Sequence, residues 1–513
     1  MSDKITTFVE SLSLSSLQAQ KLQEWLQGDS DTAAIFSSQN ITKSASIKIA
    51  FLLLSSFFQL LIVNDPEGVS ALDAHWSAAC SEFPSFIVLP KSGDDVSIVL
   101  KVVQSLRITF SIRSGGHSPN PGWSSTGQPG LVIDLKNLNQ ITVSEDKQIV
   151  SLGPGALWGD VYTALDSSGI SVIGGRIPSV GVGGLILGGG FFHFSSQYGL
   201  AADNVKNFEI VLADGTVTNV NMEDKPDLFW ALKGGGANFG VVTRFDLYSI
   251  PVNNIWYQID IYQIEQVPSI FQAFAEWQNT FSDVKATVAL IVSLDVVTLG
   301  LIYSEPCSEQ PACFAPFNDI PAVTQAIPPT NGTVLALTQI LGAAASSCPP
   351  HLQRHDYRGA SSKIDAQLYE DVYNFWREKA LAVRDSTGAN QTFVLQPISA
   401  SMVQYGIEKG GNCLGLRPEN AQWWTTLIDW EHASDDAIVR EVSIATTKKW
   451  KELGQERGLH DPFVYMNDAS RDENPLMSYG EENLAKLKAV SLKYDPSQVF
   501  QKLQNDGFLL SKV

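Results

Sequence analysis

The chain is short of most features that give a function away. Basic residues are scarce: 35 lysines and arginines stand against 54 aspartates and glutamates, a net charge of −19 over 513 residues. So negative a surface repels phosphate backbones and anionic lipid, and no nucleic-acid or membrane partner is expected. Cysteines number five, Cys80, Cys307, Cys313, Cys348 and Cys413, too scattered and odd in count for a disulfide framework. Cys307 and Cys313 either pair or stay free thiols. Cys348 with His351 and His355 comes nearest to a metal cluster, but Pro349 and Pro350 follow it and no second cysteine is near. The segment reads as a loop, and no metal site is expected.

Long apolar runs are missing as well. The best, Ile49 to Val63, spans 15 residues and is broken by Ser55, Ser56 and Gln59. That falls short of the ~20 a bilayer requires, so it reads as a buried helix or strand. The opening residues MSDKITTFVESLSLSS show no basic segment followed by an apolar one. This predicts a cytoplasmic protein, with secretion as the alternative, and gives the sequons at Asn40, Asn331 and Asn390 no weight. After Gly181 and Gly183 the sixth position is Ile186, so the Rossmann fingerprint fails. Walker A, G-x-S-x-G and H-E-x-x-H are absent, which removes P-loop NTPases, the usual α/β-hydrolases and zincins.

What remains is an ordinary globular composition, 44% hydrophobic and 17% charged, with length for two to four domains at about 100–200 residues each. Residues 1–80 read as a helical and loop extension without a site. From 81 to 255 the pattern is compact α/β. Phe86 to Leu89 forms a strand, Ser92 caps a helix carrying Val96, Val99, Leu100 and Val103, and Ile108 to Ile112 alternates as a strand. Strands follow at 131–133 and 149–152, with a helical stripe at Trp158, Val161, Tyr162 and Leu165. Phe208–Leu212 and Val217–Val220 form a hairpin on Asp214-Gly215, then come a helix at 227–232 and a strand at 241–245. Residues 256–455, with helices at 366–383 and 433–453, read as a second domain. Residues 456–513 read as a compact C-terminal segment with a helix at 481–490.

Glycine is dense at Arg113-Ser114-Gly115-Gly116-His117-Ser118, Gly153-Pro154-Gly155, Gly174-Gly175, Val180 to Gly190, and Gly234 to Gly240. Singly, Gly153 or Gly174 reads as a turn. Together the clusters point to tight turns and to close approach of a diphosphate to bare backbone amides. His117, at the end of a strand and behind two glycines, could then reach a flat ring system.

These segments resemble one family. Ser114-Gly115-Gly116-His117-Ser118, Gly153 to Gly159, Val180-Gly181-Val182-Gly183-Gly184, Gly188-Gly189-Gly190, Tyr198 to Val205, Asp227 to Gly236, Phe239 to Thr243, Tyr465-x-Asn467, Tyr479-Gly480 and Lys493 to Pro496 occur in order. They are similar to berberine-bridge-enzyme-like oxidases of the vanillyl-alcohol oxidase superfamily, most of all to fungal secondary-metabolism members. The resemblance implies an α+β fold: a two-subdomain FAD-binding module with a separate antiparallel-sheet-plus-helices substrate domain. It implies FAD joined to His117, with Arg113, Ser114, Gly115, Gly116, Ser118, Gly175, Val180, Gly181, Gly183, Gly184, Gly188, Asn204, Val242 and Asn467 around it. Val180 matches a small gatekeeper for O2.

One departure stands out. Members with two covalent links carry a cysteine three residues before the valine of V-G-x-G-G, where this chain has Ile177. A single link is therefore expected, and a large oligosaccharide substrate is disfavoured. Flavin oxidation takes a hydride from carbon and needs a base for the accompanying proton. The resemblance offers Tyr465, with Tyr479 second; a free phenol titrates at about 10, so neighbours must lower it. Gln396 to Ser399 and Gly410 to Asn412 resemble substrate-domain features, and Trp423, Trp424 and Trp430 read as core. The expected function is an FAD-dependent oxidase of a small secondary metabolite, using O2 and yielding H2O2, with or without ring closure. A carbohydrate oxidase and a non-catalytic flavin scaffold are the alternatives; oligomeric state is left open.

Overall fold

The computed structural model describes residues 6, 9–10, 19–20, 23, 42–55, 57–62, 66–72, 74–280, 283–345 and 353–513. The loop reading of Cys348 and His351 and the sequon at Asn40 lie outside the described residues.

Three sheets organise the chain. The first runs β1(Leu60–Leu61), β2(Phe86–Val88), β3(Thr109–Arg113) and β4(Gly130–Asp134) in the spatial order β1-β2-β4-β3, with β2 and β3 both parallel to β4. Parallel strands need a crossover, and the Ser92-capped helix α2(Gly93–Leu106) supplies it. Ser92 Oγ accepts the Asp95 amide at 3.1 Å. The apolar run from Ile49 begins within helix α1(Lys43–Ser55), whose Ile49, Ala50, Leu53 and Leu54 are buried against α2 and this sheet.

The second sheet, β5(Ile141–Val143), β6(Ile149–Leu152), β7(Val205–Val211), β8(Val217–Val220) and β9(Val241–Tyr248), is antiparallel in the order β5-β6-β9-β7-β8. The β7–β8 hairpin turns on Gly215, at φ +83. Helices α3(Trp158–Asp166), α4(Val182–Leu187) and α5(Pro226–Leu232) complete this part.

The third sheet has nine antiparallel strands: β10(Asn254–Gln263), β11(Ala286–Val292), β12(Val296–Tyr303), β13(Thr324–Thr333), β14(Arg354–Ser362), β15(Asn390–Gln391), β16(Phe393–Ile398), β17(Ala421–Trp430) and β18(His460–Asp461). Side chains alternate across it. One face packs on helices α6(Val267–Asn279), α7(Ala366–Thr387) and α8(Asp436–Glu456) through a ring cluster that includes Trp376, Phe393, Trp424 and Trp450. The other face, carrying Tyr357, Gln396 and Trp423, turns toward the glycine-rich loops. After helix α9(Glu481–Tyr494) the chain returns to the first sheet, where the Phe110 amide donates to the Leu503 carbonyl and the Phe110 carbonyl accepts the Asn505 amide. This α+β architecture, a two-sheet module beside a large antiparallel sheet with helices, is the one the glycine motifs imply.

The described cysteines Cys80, Cys307, Cys313 and Cys413 are free. Among the described residues no His/Cys/Asp/Glu group could hold a metal, and no helix is long and apolar enough to cross a membrane.

Strand β3 ends in a buried ion pair that aims the loop after it. Arg113 Nη2 meets Asp134 Oδ2 at 2.7 Å with both side chains 3% exposed, and Arg113 Nη1 donates to the Ala71 carbonyl. Removing one partner strands a buried charge. Asp134→Asn is expected to cost about 3–5 kcal/mol of unfolding free energy in a urea denaturation; a loss below about 1 kcal/mol, the scale of an exposed pair, contradicts this account.

Candidate active site

The loop after β3 and the loop entering α4 are pressed together main chain to main chain. A Cβ on Gly115 would lie 2.6 Å from the Gly181 nitrogen, and one on Gly181 would lie 2.4 Å from the Gly115 nitrogen. Only glycine allows this approach. Ser114 fastens the junction: its Oγ donates to the Pro154 carbonyl and accepts the Gly183 amide. Gly116 turns the chain at φ +64, and its carbonyl accepts the Trp76 amide at 2.9 Å. Nothing among the described residues accepts from the amides of Gly115, Gly116, His117 or Ser118. Consecutive loop amides left unpaired are the chemistry of an anion cradle, so these residues fit a diphosphate-bearing cofactor.

His117 stands in an aromatic stack. Trp76 lies parallel to it, with ring centroids 4.5 Å apart, and also stacks on His355 at 3.8 Å and on Tyr357 at 5.2 Å. The Tyr357 hydroxyl is 3.4 Å from His117 Nδ1. His355 Nδ1 meets Asp429 Oδ1 at 2.6 Å across the β14–β17 pair. Burial, with His355 nearby, lowers the His117 pKa to about 4, so its imidazole is neutral.

The Gly188-Gly189-Gly190 cluster does something the sequence did not announce. Gly189 and Gly190 sit at φ +117 and +81. That turn sends the Gly190 and Phe191 amides to the Tyr465 hydroxyl oxygen at 2.9 and 2.8 Å, and Asn467 Nδ2 adds a third donor at 3.1 Å. Asn467 also donates to the Leu185 carbonyl, in space that a Cβ on Gly188 would fill. Trp423 stacks on the Tyr465 ring at 4.5 Å. Burial and the Asp468 carboxylate raise the Tyr465 pKa, while the Phe191 amide, Asn467 and Arg176 pull against them. The expected lowering is thus supplied in kind by the donors but outweighed by burial.

Beside Tyr465 runs a polar chain. Arg176 Nη2 donates to Gln396 Oε1 at 2.7 Å, and Gln396 Nε2 donates to Asp468 Oδ2 at 2.6 Å. Burial raises the Asp468 pKa against the opposing pull of Arg176 and Gln396.

The structure therefore brings Ser114, Gly115, Gly116, His117, Ser118, Val180, Gly181 and Gly183 together at one junction, and Gly188, Tyr465 and Asn467 at a second beside it. Gly184 has open space where a Cβ would be. Other expected positions are spent on packing. Arg113 is consumed by Asp134, and Gly175 makes room for the Trp158 ring, as does Gly174. Asn204 Nδ2 donates to the carbonyls of Tyr198 and Leu200, and Val242 is buried in β9. The Tyr479 hydroxyl donates to the Gly234 carbonyl at 3.0 Å, and burial holds its pKa well above the ordinary value. Sequence reasoning missed Trp76, which lies in a segment read as siteless, together with Tyr357, Arg176 and Asp468, and it set His355 in a loop beside Cys348 where the structure has a strand, Arg354–Ser362. Only Gln396 and Asp468 carried a signal, one in the substrate-domain strand and the other directly after Tyr465-x-Asn467.

A protein-family profile described as "FAD binding domain" matches residues 84–221. An FAD-dependent monooxygenase of Arthrobotrys oligospora is 38% identical over 447 residues, covering 87% of this chain and 86% of its own. The bifunctional solanapyrone synthase of Alternaria solani is 32% identical over 502 residues, covering 96% and 95%. Among solved structures, BBE-like 1 of Physcomitrella patens shares the fold with a TM-score of 0.74 at 18% identity, over 91% of this chain and 99% of that one. The two relatives match over 87% and 96% of the chain, and the glycine clusters from Gly115 to Gly190 fall within the family profile: this chain belongs to the family of fungal FAD-dependent oxidoreductases that these relatives represent, and it shares its fold with BBE-like 1.

Proposed function

We propose that the chain holds FAD covalently through His117 and oxidises a small secondary metabolite, with Tyr465 accepting the proton. The observation that carries this reading is the Gly115–Ser118 loop, four unpaired amides with a neutral imidazole among them. A neutral imidazole keeps the lone pair that a bond to carbon requires. Ile177 offers no thiol, so the link is single. Bound there, FAD would accept a hydride from the substrate and pass the electrons to O2, yielding H2O2.

The chain's own residues set the rest. Three N–H donors focused on the Tyr465 oxygen favour its phenolate, the form that takes a proton. Trp423 fixes the ring plane, and Asn467 holds both the phenol oxygen and the end of α4. Tyr479 remains the second candidate, separated from Tyr465 by the stacked rings of Phe463 and Trp423. Buried Phe191, Phe192 and Phe194 exclude water from this side. Val180, small and at the loop junction, leaves O2 a way in.

The name of the Arthrobotrys relative favours a second reading, insertion of one oxygen atom of O2 into the substrate while the other leaves as water, with the two electrons for that water supplied by an added reduced nicotinamide. The two separate on stoichiometry. Oxidation gives one H2O2 per product and no label from 18O2 in the product; label in the product without matching peroxide supports insertion instead.

Tyr465→Phe keeps the ring and removes the proton acceptor. Flavin content should hold, while flavin reduction in a stopped-flow experiment should slow by about 10²–10⁴-fold. Because burial raises the Tyr465 pKa, the base form grows as pH rises, so wild-type reduction should accelerate toward alkaline pH and the variant should lose that rise. Reduction within about twofold of wild type places the base elsewhere, against the usual general-base contribution.

A further inference from the structure

Arg176, like Arg377 and Arg471, is packed into the fold without an ion pair among the described residues, and of these three it is the one bonded to Gln396. Arg113, Arg244, Arg354, Arg358 and Arg440 each hold a carboxylate oxygen at 2.5–2.8 Å. Arg176 has no ion-pair partner among the described residues. Its guanidinium lies 5.2 Å from the Phe191 ring centroid and donates to Gln396; Asp468 is reached only through that amide. A guanidinium carries five N–H groups in a planar fork, and the fork matches two oxygens of one anion. A half-buried fork with a single neutral partner is set for a further acceptor.

The one carboxyl near it, Asp468, stands behind Gln396, and burial raises its pKa against the pull of Arg176. The titratable groups that feel its charge are His193, Tyr357, Tyr465 and Asp468. Burial, reinforced by Arg176, lowers the His193 pKa to about 3, so that ring is neutral, and its Nε2 has no partner. Burial likewise raises both phenols and keeps them uncharged.

The sheet next to Gln396 is bare. Trp423 and Gln396 are register partners on β17 and β16, and Ala289 and Gly300 are partners on β11 and β12. The β11–β16 register, Leu290 opposite Leu395, puts Ala289 beside Gln396 when continued by one residue. Along this row the side chains shrink from Trp423 through Gln396 to Ala289 and Gly300, on the face turned to the glycine-rich loops. A Cβ added to Gly300 would meet only Ala289 within ordinary contact. Beyond Gly300 the row rises again at Ile259 of β10 and Ile327 of β13, so Ala289 and Gly300 form a shallow shelf between Gln396 and Ile259.

We infer that Arg176 docks an acidic oxygen of the substrate, as an enolate, phenolate or carboxylate, and that the ring body of the substrate lies on the Ala289–Gly300 shelf. This rests on the flavin-oxidoreductase reading and names its substrate class: small, flat molecules that are anions or become anions on binding. On an enolate or phenolate conjugated with it, charge on that oxygen also raises the electron density of the carbon that gives up the hydride.

The test titrates the oxidised holoenzyme with benzoate and, separately, with its neutral isostere benzamide, following the flavin absorption spectrum. Wild type should show a saturable change with benzoate, and Arg176→Gln should weaken benzoate by about 10–100-fold while shifting benzamide little. Equal benzoate affinity in the two proteins, or no saturable change in wild type, overturns the site. If Arg176→Gln fails to hold flavin, Ala289→Phe reads the same pocket from the sheet: it should weaken both probes, and unchanged affinities overturn the placement. A colourless wild-type protein refutes the flavin reading itself, whereas a yellow one indifferent to benzoate refutes only the Arg176 site.

Discussion

Gly115 and Gly181 touch backbone to backbone, and a methyl group on either would drive into the other's main chain. Most of the site follows from that contact. It locks the loop bearing His117 to the start of α4, with Ser114 as the polar fastener. Helix α4 in turn delivers the Gly188–Gly190 turn, and positive φ at Gly189 and Gly190 is what points two amides at Tyr465. One glycine pair therefore sets the distance between His117, the proposed point of flavin attachment, and the candidate base, although 348 positions of sequence separate His117 from Tyr465.

The electrostatics are spare. Burial holds His75, His117 and His193 neutral, with pKa values of about 3 to 4, and holds Tyr357 and Tyr465 protonated. The Arg176 guanidinium is tied through Gln396 to Asp468, a carboxyl that burial itself pushes up, and holds no carboxylate directly. In a low-dielectric site a guanidinium without a direct carboxylate partner acts strongly on an anion that enters. This is why Arg176, rather than the more numerous aromatic side chains, is the group to which substrate choice is assigned.

Local elements were legible because local chemistry decides them. The Ser92 cap, the helix behind it, the Asp214-Gly215 hairpin and the strand leading to His117 are all set within about ten residues. The glycine clusters were legible as demands on the backbone but not as to which demand: Gly153 and Gly155 avoid the carbonyls of Leu138 and Leu135, and Gly174 avoids Trp158, whereas Gly115 and Gly181 build the cradle. The opposing wall was not legible. Trp76, Tyr357, Gln396 and Asp468 meet the loops only because a nine-stranded sheet presents alternate residues to them, and no spacing in the sequence encodes a register between segments hundreds of residues apart.

The central claim is that His117, in its cradle of unpaired amides, is the point at which FAD is attached. Peptide mass spectrometry on the purified, acid-denatured protein tests it most directly. The peptide containing His117 should carry the full mass of FAD, and the segment containing Ile177 should be unmodified. A bare His117 peptide, with the yellow colour left in the acid supernatant, would contradict the account.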